Sequence, residues 1–196
     1  MMQRWVTGLY NLLLGVWVGG LVMFAVGAGI TFQTVRAYDP TLGLEPYDAA
    51  VLADQGPGIL AGAVVGHVLD GLAIVELICA AGLVVCATLQ WMFWGARWQW
   101  SNVLRCGMLL ASGGLLALHL GVIGPAIQTH RDAMYDPTSS ALARSEARSA
   151  FEPYHKASEK VAGAMLLLLA GACIISPFAL GVKTSGKQQR KRSDDG

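Results

Sequence analysis

The chain has 196 residues, 54% of them hydrophobic and only 14% charged, with a net charge of +1. Soluble domains carry about 25% charged residues, so this balance places the chain in the integral-membrane class. The net charge says nothing about nucleic acid, and the basic residues are scattered except at the C-terminus; no nucleic-acid partner is expected.

The first apolar run is Leu9 to Phe32, "LYNLLLGVWVGGLVMFAVGAGITF". It is longer than the roughly 7–15 residues of a signal-peptide core, so it reads as a retained membrane helix. The second runs from about Gly71 to Trp94, with an extension back toward Gly58. The third is Val103 to Ile127 and the fourth Val161 to Val182. Each reaches the roughly 20 residues needed to cross a hydrocarbon core of about 30 Å. The fold class expected is therefore an all-α integral membrane protein, a four-helix transmembrane bundle spanning 1–182. The tail "KTSGKQQRKRSDDG" over 183–196 is polar and basic and is expected to be disordered.

Lys and Arg set the orientation. Arg4, Arg97, Arg105 and the tail cations Lys183, Lys187, Arg190, Lys191 and Arg192 fall on one side. The connection 34–57 has a single Arg against Asp39, Glu45, Asp48 and Asp54. Both termini are thus expected in the cytoplasm. Trp91, Phe93, Trp94, Trp98 and Trp100 cluster at the short second connection, as an interfacial aromatic belt does. The connections 34–57 and 128–154 are long, and short helices are expected at Tyr47–Ala53 and Ser139–Phe151. Glycine spacings such as Gly15–Gly19, Gly58–Gly62–Gly66 and Gly113–Ala117–Gly121 are those of close helix packing. Cys79, Cys86, Cys106 and Cys173 lie in apolar runs without a CxxC pair and read as small packing residues.

The stretch "GHVLDGLAIVELICAAGL" carries three ionisable residues on a membrane helix. Such groups are costly in hydrocarbon and usually face a bundle interior, a cavity or the interface. Counting back about 20 residues from Trp94 places Glu76 just inside the outer hydrocarbon edge, with His67 and Asp70 beyond it. Counting from Val103 puts His119 about 24 Å up, at similar depth. His155 and Glu159 share one face at the start of the last helix. The expectation is that Glu76 meets His119, with Asp70 and His155 above them. The candidate metal ligands are then His67, Asp70, Glu76, His119 and His155.

Several stretches together carry a resemblance: "LLLGVWVGGLVMFAVGAGITF", "AGAVVGHVLDGLAIVELICAAGLV", "LHLGVIGPAIQTHRDAMYD" and "FEPYHKASEKVAGAMLLLL". With Trp17, Gly19, Gly20, Pro125, Arg131, Phe151, His155 and Ser158, they resemble the bacterial domain of unknown function 4149 family, similar to eukaryotic transmembrane protein 205. The resemblance covers about Leu12 to Ala170 and implies a four-helix membrane bundle in a bacterial inner membrane. It implies no catalytic residue.

Three functional readings follow. The favoured one is a structural or assembly role, in which polar residues tie helices together. The alternatives are a metal- or haem-binding protein using His119, Glu76 and His155, and a small carrier using Glu76, which would need a homo-oligomer. No cofactor is favoured. Hydrolytic chemistry is disfavoured, because Ser112, Ser158 and Ser176 sit in no GxSxG context and no HExxH occurs.

Overall fold

The computed structural model describes residues 2–38, 49–94, 100–136 and 138–180. Among them are five α-helices: α1 Met2–Tyr38, α2 Ala49–Trp94, α3 Trp100–Leu118, α4 Gly124–Tyr135 and α5 Ala141–Leu180. A π-helical turn, His119–Ile123, joins α3 to α4. Four segments are long and apolar enough to cross a membrane: Met2–Tyr38, Gly56–Phe93, Trp100–Tyr135 and Ala141–Phe178. The protein is an all-α four-helix bundle of the integral, multi-pass membrane kind.

The buried positions explain why four apolar helices settle into one bundle. On α1 they are Tyr10, Leu14, Trp17 and Leu21. On α2 the seam runs Glu76, Cys79, Leu83, Cys86 and Gln90. On α5 it runs Met165, Leu169, Ala172 and Ser176. The spacing alternates between three and four residues, so each seam stays on one face of its helix. The other faces carry exposed Leu, Val, Ile and Phe, as lipid-facing surfaces do. Helix α1 packs along α2 and also touches α5, and α5 packs along α3. Helices α2 and α3 follow each other in sequence yet make no extended contact.

The helices outrun the expected spans. Helix α2 has 46 residues, about 69 Å of helix against a core of about 30 Å. The expected long connections are therefore mostly helix. The segment expected at Ser139–Phe151 is helical from Ala141, but as the first turns of the 40-residue α5 and not as a separate element. Ser140 caps it by accepting a 3.2 Å hydrogen bond from the Ala143 amide. Of the helix expected at Tyr47–Ala53, residues from Ala49 belong to α2, and the earlier ones lie outside the described residues. The tail 183–196 also lies outside them.

Pro125 accounts for the π-helical turn. It has no N–H to donate to the preceding turn, and its ring crowds the carbonyl four residues back. The Gly124 amide instead reaches the His119 carbonyl, five residues earlier.

The glycine seams are corrected too. A Cβ at Gly15, Gly19, Gly58, Gly62, Gly113 or Gly121 would meet nothing within 4 Å, so these residues adjoin open space and bring no neighbouring helix close. Close approach occurs elsewhere. A Cβ at Gly82 would stand 2.6 Å from Leu13, at Gly20 3.0 Å from Leu72, and at Gly171 3.0 Å from Met108. Gly66 gives room to the Arg131 guanidinium. The cysteines are unpaired, with Cys79 and Cys86 buried in the α2 seam.

Candidate functional site

The five nominated residues do not converge. The His67 ring bonds the Ala63 carbonyl of its own helix at 2.9 Å and is exposed, as is Asp70. His155 pairs with Glu159 at 3.3 Å on the exposed face of α5 and stacks on Phe151. His119 is half-buried where the π-helical turn begins. Among the described residues, no group of three His, Cys, Asp or Glu side chains could hold a metal ion.

Glu76 is buried, at 4% exposure, as its place in the membrane requires. Its partner differs from the expectation. The Trp17 indole N–H of α1 donates to the Glu76 carboxyl at 3.3 Å. Depth counting correctly draws Glu76 into the bundle but cannot say which neighbouring helix its face meets. Glu76 begins the α2 seam, and that seam faces α1. The tie is buried, with Trp17 only 1% exposed.

A second buried polar centre forms around a residue read in the sequence only as an orientation signal. Arg105 reads in sequence as one more cation beside the second connection. In the structure it lies in α3, 1% exposed. Its Nη2 donates to Gln90 Oε1 at 3.0 Å and to Asn102 Oδ1 at 2.8 Å. Its guanidinium carbon lies 4.7 Å from the centroid of the Tyr10 ring, a cation–π contact. Ser176 of α5 lies beside Tyr10, so all four long helices contribute to this end of the bundle. A sequence signal did exist. Gln90 continues the three-and-four spacing of Glu76, Cys79, Leu83 and Cys86, and Asn102 precedes Arg105 by three residues, on the same face.

Where α2 and α3 fail to pack, a lateral groove of about 700 Å³ opens. Its walls are mainly apolar, including Leu83, Val84, Val103 and Leu110. Asn102 and Arg105 line it from the start of α3, and Trp17 lines it from α1. The groove therefore joins an apolar slot to a buried cation. The exposed aromatics Trp91, Phe93 and Trp100 stand at the same end, whereas the side chains of Trp94 and Trp98 lie outside the described residues.

At the opposite end, α4 and the first turns of α5 pack together, with His130 stacked on Tyr154. Arg131 pairs with Asp132 at 3.5 Å. Asp136 closes the α4–α5 turn. It accepts from the Thr138 hydroxyl and amide and from the Ser139 hydroxyl, which hold its carboxyl below the usual range.

Compared with protein-family models, curated proteins and solved structures, the chain matches none of them.

Proposed function

We propose that this chain has a structural or assembly role in a bacterial cytoplasmic membrane, in the manner of the transmembrane protein 205-like family, with both termini on the cytoplasmic side. One observation carries the reading. The buried polar side chains are used between helices: Trp17 with Glu76 ties α1 to α2, and Arg105 with Gln90 ties α3 to α2. Interhelical hydrogen bonds are the usual polar glue of membrane bundles. The scatter of Lys and Arg supports the orientation.

A carrier using Glu76 is the second reading, favoured by the burial of a carboxyl on a membrane helix. Vesicles containing the purified chain and a trapped pH-sensitive dye separate the two. The structural role expects proton leakage no faster than in empty vesicles, no Soret band and no stoichiometric metal, while Glu76→Leu lowers the unfolding temperature. Proton movement abolished by Glu76→Gln would replace this reading with the carrier. One haem or metal per chain would replace it with the cofactor reading.

A further inference from the structure

Arg105 is a buried cation without an anion. Among the described residues no carboxylate pairs with it. A guanidinium has five N–H donors, and both hydrogen bonds Arg105 makes leave from Nη2. Nε and Nη1 are buried with no partner, and so is Gln90 Nε2. Taking a charge out of water is strongly unfavourable unless a counter-charge and hydrogen bonds replace the water. Tyr10 supplies only a ring face.

We propose that the groove between α2 and α3 binds an anionic phospholipid of the adjoining leaflet, with its phosphate on Arg105 and an acyl chain along the slot. The depth fits. Arg105 lies five residues, about 7.5 Å, beyond Trp100, which opens α3 at 79% exposure. That is the headgroup side of the hydrocarbon, where exposed Trp side chains collect. From Asn102 to Gly114 the slot follows α3 for about 18 Å, close to the roughly 15 Å of one leaflet.

The chemistry fits as well. Asn102 is half-buried at the polar end of the groove and covers Nη2. A phosphate oxygen that displaces its carbonyl gains Nη2, and the same movement of Asn102 would have to open the buried, unpartnered Nη1 to a second oxygen. This paired geometry is one that arginine offers and lysine does not. Gly113 and Gly114 keep the α3 wall low, since a Cβ at either meets nothing within 4 Å.

The test is native mass spectrometry of the full chain released from mild detergent. It is titrated with phosphatidylglycerol, with phosphatidylcholine of the same acyl chains, and with inorganic phosphate. The wild-type chain should retain one phosphatidylglycerol with about tenfold preference over phosphatidylcholine, which offers the same phosphate but cancels its charge with choline and so leaves Arg105 without a net counter-charge. Arg105→Gln should reduce that preference to about onefold. Arg105→Lys keeps the charge without the fork and should fall between them. Gly113→Leu leaves Arg105 untouched but fills the slot, and should abolish retention. It decides the matter if Arg105→Gln does not fold. Equal retention of the two lipids by wild type, undiminished retention by Arg105→Gln, or undiminished retention by Gly113→Leu would overturn the proposal. If inorganic phosphate alone displaced the bound lipid at equal concentration, the site would be one for free anions and the lipid assignment would fall.

Discussion

Replacing Glu76 by leucine removes the acceptor for the Trp17 indole and leaves a buried N–H facing an apolar side chain. The donor–acceptor distance is 3.3 Å, longer than the usual 2.9–3.0 Å of an N–H···O bond, so the tie lies toward the weak end. Interhelical hydrogen bonds in membranes average about 0.6 kcal/mol and reach about 2 kcal/mol. The burial of both partners favours a value near the middle, about 1 kcal/mol. For a chain of this length that corresponds to a fall of roughly 2–4 °C in the unfolding temperature. Trp17→Phe removes the same N–H but also ring volume, so its own effect should be larger, because Trp17 is packed among Tyr10, Leu14 and Leu83 in the core. The informative quantity is the coupling. In a double-mutant cycle, read by unfolding in detergent, Glu76→Leu should cost less in the Trp17→Phe background than in wild type. The coupling should exceed the roughly 0.3–0.5 kcal/mol scatter of independent sites. Additivity would refute the tie. Coupling of Glu76→Leu to His119→Ala in its place would mean that α2 presents a different face.

Among the glycines, Gly82→Val should destabilise by about 1 kcal/mol, because its Cβ would stand 2.6 Å from the tip of Leu13, whose side chain is packed against the core and must shift. Gly19→Ala, in the GxxxG motif, should be neutral or stabilising by up to about 1 kcal/mol, since its Cβ meets nothing. Thermal unfolding of the two variants distinguishes this packing from the motif, and the reverse order would contradict it. For the α4–α5 turn, the Asp136 carboxyl is held below its ordinary 3.8, so its contribution is present above that value and lost as pH falls through the depressed one. Asp136→Ala should remove the part of the stability loss in that acid window, read from unfolding temperature against pH, and an unchanged profile would show that the turn does not matter. For topology, reporter fusions after Trp98 and after Lys183 should both report cytoplasm and a fusion at Glu45 the opposite face. If the Glu45 and Lys183 fusions reported the same side, the four-span arrangement would be wrong.

The sequence by itself determined that four apolar helices exist, because length and hydropathy are local properties and a membrane leaves few other ways to satisfy the backbone. It also determined that Glu76 turns inward, since a carboxyl facing lipid at that depth is unfavourable wherever its partner lies. It did not determine which helices touch. Depth is a one-dimensional count along a helix, and at the same count a side chain can face any neighbour. The rotation of α2 about its axis decided that Glu76 meets Trp17 and not His119. The helix ends also lay beyond hydropathy, because polar turns such as those from Ala141 to Tyr154 continue a helix as readily as they end one. Small residues recur on both lipid-facing and packed faces, so Gly15 and Gly19 carried the motif while Gly20 and Gly82 made the approach. Arg105 shows the same division most clearly. A cation near a helix start is an orientation signal in one dimension. The parting of α2 from α3, a property of the whole bundle, made it a buried charge on the wall of a groove.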